Sequence, residues 1–226
     1  MAVIDNLTAR VSRASDGKGS QRLLTSPNCP TQITEAYNAL LTNLDLALGP
    51  NAAGAVAVAA VDGTADAALV ATNLAVLTAR SGDRTLVVDC DLQRPSLPQL
   101  LGLNPSPGIA QLLNGEHTEL QSLAQPTPLP LLGAITVGTV GTAHSQLARL
   151  GDIPSAVLRL RNVADRVFFI TAPVLASVDL LRLAPYVDGI LLVVTPRRTE
   201  RQAAAKAREI LTKVEAPVLG SVLAPQ

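Results

Sequence analysis

The chain has 226 residues, 48% apolar and 16% charged, enough to bury a sizeable core in one large domain with an appended arm. Eighteen basic side chains balance eighteen acidic ones, which argues against strong non-specific attraction to nucleic acid or anionic lipid. Aromatics make up only 2%, with no Trp, so the core is built from Ala, Val, Leu and Ile and offers little for stacking on bases or sugars.

Residues 1–30 are polar, with Ser, Asp, Gly, Arg and Pro among few apolar positions, and predict a flexible arm preceding an α/β domain over residues 31–226. The arm lacks a long apolar run of the signal-peptide kind. Its segment Ser15 to Ser20 superficially resembles a phosphate loop. It has no apolar strand before it and no apolar helix after it, and it reads as a solvated linker. Residues 31–48 show helical spacing, with Ile33, Ala36, Tyr37, Leu40, Leu41, Leu44 and Ala47 on a broad face and Thr34 or Thr31 as the expected cap. A strand is predicted over residues 55–61, a turn at Asp62 and Gly63, and a helix over residues 66–80. The whole apolar run 48–79 is interrupted by Pro50, Gly54, Asp62, Gly63 and Asp66, and reads as strand, turn and helix rather than a membrane span.

Further strands are predicted at 84–91, 131–138, 166–171, 187–195 and 217–223. Short helices fall in 95–124, a helical region in 145–165, and a last helix at 199–214. Strand and helix in alternation imply an α/β fold, a mostly parallel β-sheet with helices on both faces. The apolar runs do not alternate, as befits strands buried on both sides. Ligands of such sheets sit beyond the carboxyl ends of the strands, where loops lead into helices.

Several segments carry a resemblance at this point. "EAYNALLTNL", "ATNLAVLTARSGDRTLVVDCDLQRPSLPQLLGL", "PSPGIAQLLNGE", "TAPVLASVDLLRLAPYVDGILLVV" and "APVLGSVL" follow one another in order across residues 32–224. Together they resemble bacterial tyrosine kinases and the cytoplasmic ATPase domains of polysaccharide co-polymerases. More distantly they are similar to ParA/MinD-type P-loop ATPases.

The resemblance implies ATP and magnesium as cofactors, and a nucleotide loop G-x-G-K-S-T before V-A-A-N-L-A. Counted back from Asn73, that pattern falls on Thr64, Ala65, Asp66, Ala67, Ala68 and Leu69, after Gly63. Ala67 therefore stands where the phosphate-binding lysine belongs. Ala68 and Leu69 stand at the hydroxyl positions, Asp66 at a glycine, and Asp62 where ParA-type relatives carry a second lysine. The chain has only three lysines, Lys18, Lys206 and Lys213, and no GK[ST] tripeptide. At the Walker B strand end the family reads I-I-D-T-P-P. Here "FFITAP" puts Ile170 at the aspartate and Ala172 at the first proline. Losing a cation, a metal-binding hydroxyl and a carboxylate from one site is hard to reconcile with phosphoryl transfer, which relies on positioned charge and magnesium.

"LVVDCDLQRP" retains two strand-end aspartates, Asp89 and Asp91, which in relatives help organise magnesium. They are either a vestigial cation site or acidic strand ends capping the next turn, with Arg94 as a partner. Tyr37 and Tyr186 read as packing residues rather than phosphate acceptors. In the family's self-association pattern E-x-x-R-x-x-R, Glu35 matches while Asn38 and Leu41 replace both arginines. His117 and His144 are isolated, and no metal site is expected. The basic run 196–208 reads as a solvated helix start or a contact for an acidic partner. Cys29 and Cys90 make no disulfide framework, in keeping with a reduced cytoplasmic setting.

The expectation is a catalytically inactive pseudo-kinase or pseudo-ATPase with no bound cofactor, serving as a binding or regulatory subunit in bacterial exopolysaccharide or capsule biosynthesis and export. Its expected partners are a membrane polysaccharide co-polymerase or an active kinase paralogue, in homo- or hetero-oligomers, with no nucleic acid. A partner would recruit it to the inner face of the membrane. The alternatives are an active tyrosine kinase or ATPase with a rearranged site, and a ParA/MinD-like positioning protein.

Overall fold

The alternating elements assemble into one eight-stranded sheet with helices on both faces. The computed structural model describes residues 8–10, 23–26, 29–49, 54–63, 66–115, 119–139 and 151–224. In chain order the strands are β1 (Thr8–Arg10), β2 (Ala55–Ala60), β3 (Thr85–Asp89), β4 (Gln125–Pro126), β5 (Leu132–Ile135), β6 (Arg166–Thr171), β7 (Gly189–Val194) and β8 (Val218–Leu223). The helices are α1 (Thr31–Leu48), α2 (Ala67–Arg80), α3 (Leu97–Leu101), α4 (Ile109–Leu113), α5 (Ile153–Val163), α6 (Asp179–Leu183) and α7 (Arg201–Lys213). The sheet order is β1-β8-β7-β2-β6-β3-β5-β4, and every pair is parallel except β4 with β5. Among the described residues no helix is long and apolar enough to cross a membrane.

Strand β2 lies between β7 and β6 and is buried at every position. Its side chains alternate in direction. Ala55, Ala57 and Ala59 join the core under α4, α5, α6 and α7, while Val56, Val58 and Ala60 join the core under α1 and α2. Continuous apolar runs are thus two half-faces interleaved. Helix α2 is apolar nearly all round because it lies between the sheet and α1, and only its last residue, Arg80, is exposed. Each fully buried leucine there, such as Leu40, Leu44 and Leu74, contributes roughly 1.5–3 kcal/mol.

Several expectations are corrected. The arm is not wholly without structure: Thr8–Arg10 pairs with Ser221–Leu223 as an edge strand. Leu23 and Leu24 are buried, with the Leu24 N–H donating to Asn73 Oδ1 (2.9 Å) and Arg80 donating to the Leu24 carbonyl (3.0 Å). Two leucines in succession were the apolar signal that the polar composition of residues 1–30 concealed. The remainder of the arm, including the Ser15 to Ser20 motif, lies outside the described residues, as do His117 and His144.

Neither threonine caps α1. Pro30 takes the N-cap position and its carbonyl receives the Ile33 N–H (2.9 Å). The strand expected over 131–138 stops at Ile135, because the next two carbonyls turn aside to the start of α4: Ile109 N–H donates to Thr136 O and Ala110 N–H to Val137 O. Of the helical region 145–165, the described part is α5. Tyr37 is buried, whereas Tyr186 is 38% exposed at the end of a 3₁₀ turn, so packing accounts for the first and not the second. In the self-association pattern, Glu35 and Asn38 are exposed but Leu41 points into the core.

At the end of the sheet where β6 begins, the Arg166 side chain is 5% exposed and pairs with Asp45 (Nη1 to Oδ1, 2.7 Å), tying the end of α1 to β6. Asp45→Ala leaves that guanidinium buried without its carboxylate. The Asp45 side chain is 42% exposed, so water offsets part of the loss. The expected cost is about 1–3 kcal/mol, read as a lower urea midpoint at unchanged m-value.

Candidate functional site

The carboxyl ends of β2, β3 and β6 open onto a cleft of about 260 Å³. Ala60 contributes from β2, Asp91, Arg94 and Ser96 from the loop after β3, and Ile170, Thr171 and Pro173 from β6 and beyond. Asp66, Ala67 and Ala68 line it from the start of α2. The cleft lies at the strand ends, where the sequence reading placed the degenerate loop, and Asp66, Ala67, Ala68 and Ile170 are among its lining residues. Thr64 and Ala65 lie outside the described residues.

Asp66 is the N-cap of α2, and its Oδ1 accepts the Leu69 N–H (2.9 Å). A side-chain carboxylate thus occupies one of the orphan donors that a phosphate uses at a helix N-terminus. Asp66→Ala is expected to destabilise the fold by about 0.5–2 kcal/mol through loss of the cap, measurable by chemical denaturation. Ala67 and Ala68 present only methyl groups to the cleft, and Leu69 is buried in the helix. Ile170, paired with Asp89 across the sheet, gives the cleft an apolar wall.

Asp62 is not among the lining residues, and it accepts from Thr199 Oγ1 (3.3 Å) on the loop after β7. Arg80 and Arg84 are engaged elsewhere, Arg84 in a forked pair with Asp165.

Asp89 is fully buried at the end of β3. Its Oδ1 accepts the Asp91 N–H (3.1 Å), and its Oδ2 accepts from Ser96 N–H (2.8 Å), Leu97 N–H (3.1 Å) and Ser96 Oγ (3.3 Å). Asp91 Oδ1 accepts from Gln93 N–H (3.2 Å) and Arg94 N–H (3.1 Å). Both carboxylates shape the turn from β3 into α3 with their own backbone. Burial holds the Asp89 carboxyl above the usual carboxylate range, against the pull of its backbone donors. Burial and the neighbouring carboxylates push the Cys90 thiol well up, leaving it a protonated core residue.

Ala67 stands at the implied lysine position, Ala68 and Leu69 at the hydroxyl positions and Ile170 at that of the strand-end carboxylate, and the retained aspartates are committed to backbone donors. These residues do not fit magnesium–ATP. Among the described residues no group of three or more His, Cys, Asp or Glu side chains is arranged to hold a metal ion.

Two side chains of the cleft escaped the sequence reading. Arg94 was expected to partner the aspartates, but only its N–H does so. Its guanidinium lies over the loop after β2, where a Cβ on Gly63 would come 3.3 Å from Nη1. Thr171, the last residue of β6, lines the cleft, and its buried hydroxyl has no hydrogen-bond partner among the described residues. The cue was positional: Thr171 ends β6 and Arg94 lies in the loop after β3, both at strand ends already assigned to the site.

No family model matches the chain. The tyrosine-protein kinase YwqD of Bacillus subtilis is 26% identical over 212 residues, covering 93% of this chain and 89% of the relative. The homologues are bacterial tyrosine-protein kinases. The succinoglycan biosynthesis transport protein ExoP of Rhizobium meliloti is 30% identical over 157 residues, covering 69% of this chain but only 20% of that longer protein. Among solved structures, the kinase domain of the Escherichia coli tyrosine kinase ETK has a TM-score of 0.80 at 23% identity, covering 86% of this chain and 76% of that domain. The septum site-determining protein MinD of Pyrococcus horikoshii has a TM-score of 0.61 at 21% identity, covering 75% and 69%. The architecture is therefore that of the MinD/ParA-like P-loop proteins and of the tyrosine-kinase homologues.

Proposed function

We propose that the chain is a catalytically inactive pseudo-kinase, acting as a binding or regulatory subunit in bacterial exopolysaccharide or capsule biosynthesis and export. The observation that carries this reading is the Asp66 carboxylate seated on the N–H of Leu69, beside methyl groups at positions 67 and 68. A phosphate entering there competes with Asp66 for the same donor and meets its charge. Two like charges about 4 Å apart at an effective dielectric of about 20 repel by roughly 4 kcal/mol. Among the described residues the cleft is lined by no lysine and by a single cation, Arg94, against the two carboxylates of Asp66 and Asp91. The polysaccharide setting is supported by the likeness to ExoP, a succinoglycan biosynthesis transport protein.

The partner in this reading is the cytoplasmic part of a membrane co-polymerase or an active kinase paralogue. The chain would work in the cytoplasm and be drawn to the inner face of the membrane by that partner. Function then resides in helix surfaces carried by a rigid sheet.

Calorimetric titration with ATP and ADP, with and without magnesium, tests the reading. The expected result is no saturable heat up to millimolar nucleotide, whereas magnesium-dependent micromolar binding overturns it. A second reading, an active enzyme with a rearranged site, draws on Arg94 as a replacement cation. Its mark is phosphate release from magnesium–ATP that disappears in Arg94→Ala.

A further inference from the structure

We infer that the groove between α7 and β8 docks an acidic segment of a protein partner, with an apolar side chain of that segment seated in the groove and a carboxylate on Arg208. This deepens the reading of the chain as a binding subunit and rests on it.

The groove has a volume of about 490 Å³, within the roughly 300–1,000 Å³ of ordinary binding sites. It shares no lining residue with the cleft at the start of α2. Its origin lies in the residues of α7. That helix packs on the sheet through Ala203, Ala207, Ile210 and Leu211, and only Ala207 and Leu211 are buried. Alanine side chains are too short to fill the space above β7 and β8. Strand β8 is accordingly half-buried at four of its six positions, whereas β2 and β6 are buried throughout. A bulge in β8 sets Ser221 opposite Leu192, on the face toward α7. Leu192 and Val218 give the groove an apolar floor, with Arg208 and Thr212 at its side. Val214, 44% exposed, adds apolar surface where the helix ends.

Charge then selects the occupant. Residues 196–215 carry six basic side chains, Arg197, Arg198, Arg201, Lys206, Arg208 and Lys213, against Glu200, Glu209 and Glu215. The whole chain has a net charge of zero, so this surplus is local. All six are exposed, and Lys213 is already paired with Glu209. Among the described residues the Arg208 side chain makes no ion pair or hydrogen bond. A segment with an apolar anchor flanked by carboxylates satisfies both features. The anchor removes apolar area from water, and the carboxylates steer the approach and fix the orientation. A nucleic acid would use the charge and leave the groove empty, and a basic segment would be repelled.

The test titrates three fluorescein-labelled peptides into the whole chain. The first has a leucine-phenylalanine pair flanked on each side by two glutamates. In the second, serines replace the apolar pair, and in the third, lysines replace the glutamates. The expected result is saturable binding of the first that weakens as salt rises. The serine peptide is expected to bind about tenfold more weakly or worse, and the lysine peptide not to saturate. Arg208→Glu reverses an exposed charge and is expected to weaken the first peptide about tenfold at low ionic strength. Thr212→Trp fills the groove from an exposed helix position and is expected to weaken it at any salt. Thermal melts confirm that both variants are folded. No saturation with the first peptide, equal binding of the serine or lysine peptide, or binding untouched by both variants overturns the inference. Self-association of the chain that Thr212→Trp abolishes overturns it too, by assigning the groove to a second copy. None of these outcomes bears on nucleotide exclusion, which the calorimetric titration decides separately.

Discussion

Asp89→Ala is expected to lower the unfolding free energy by about 3–5 kcal/mol, although Asp89 lies beside a cleft and would ordinarily be tested for activity. The carboxylate is fully buried and receives the N–H groups of Asp91, Ser96 and Leu97 as well as the Ser96 hydroxyl. Alanine leaves those donors without their acceptor, and Asp91, the other carboxylate of the turn from β3 into α3, is already bonded to the Gln93 and Arg94 N–H groups. Urea denaturation followed by circular dichroism reads the loss, and a cost below about 1 kcal/mol would show that water takes over the acceptor role. The pH dependence adds a sign. Burial raises the folded pKa of Asp89 above its unfolded value. The native state therefore holds this proton more tightly, and the stability contributed is greatest below the unfolded pKa of about 4. It is lost as the pH rises through the folded pKa. The gap between wild type and Asp89→Ala is thus expected to widen as the pH falls from about 7 toward about 4.

Gly108→Ala is expected to cost about 3 kcal/mol or more, or to unfold the edge of the sheet. Gly108 is the N-cap of α4, in an extended conformation that any residue adopts, so dihedral strain is not the reason. The reason is close approach. A Cβ there would run into the Thr136 carbonyl oxygen and the Gly138 nitrogen, and would lie 2.6 Å from the Val137 carbonyl carbon. All three are backbone atoms, which cannot swing aside as a side-chain tip can. Relief requires separating α4 from the end of β5, which breaks the Ile109 to Thr136 and Ala110 to Val137 hydrogen bonds. Hydrogen exchange at Ile109 and Ala110 is the direct readout. Near-native protection with unchanged global stability would contradict the expectation.

The site was legible in the sequence as far as residue identity carries it. Ala67, Ala68 and Ile170 are recognisable as replacements because their spacing from Asn73 and from Pro173 is a linear property of the chain. The behaviour of the charged residues was less legible. Asp62 and Asp66 both stand in the loop where the resemblance implies other residues, yet one bonds Thr199 and the other caps α2. Arg94 looked like the partner of the aspartates beside it, yet its guanidinium reaches the loop after β2. Side-chain direction in a loop is set by neighbours from other strands, and no local periodicity reports it.

By itself the sequence determined the order of strands and helices, the parallel sheet buried on both faces, and the identity of Ala67, Ala68 and Ile170 in the loop and at the strand end. Those features follow from periodicity, apolar runs and residue identity, all encoded within short stretches of chain. Only the tertiary structure decided that Thr8–Arg10 completes the sheet edge beside β8, that Leu24 is tied to Asn73 and Arg80 of α2, and that Arg94 and Thr171 border one cleft. Each of these joins residues far apart along the chain, and their meeting is fixed by the packing of the whole sheet rather than by any segment within it.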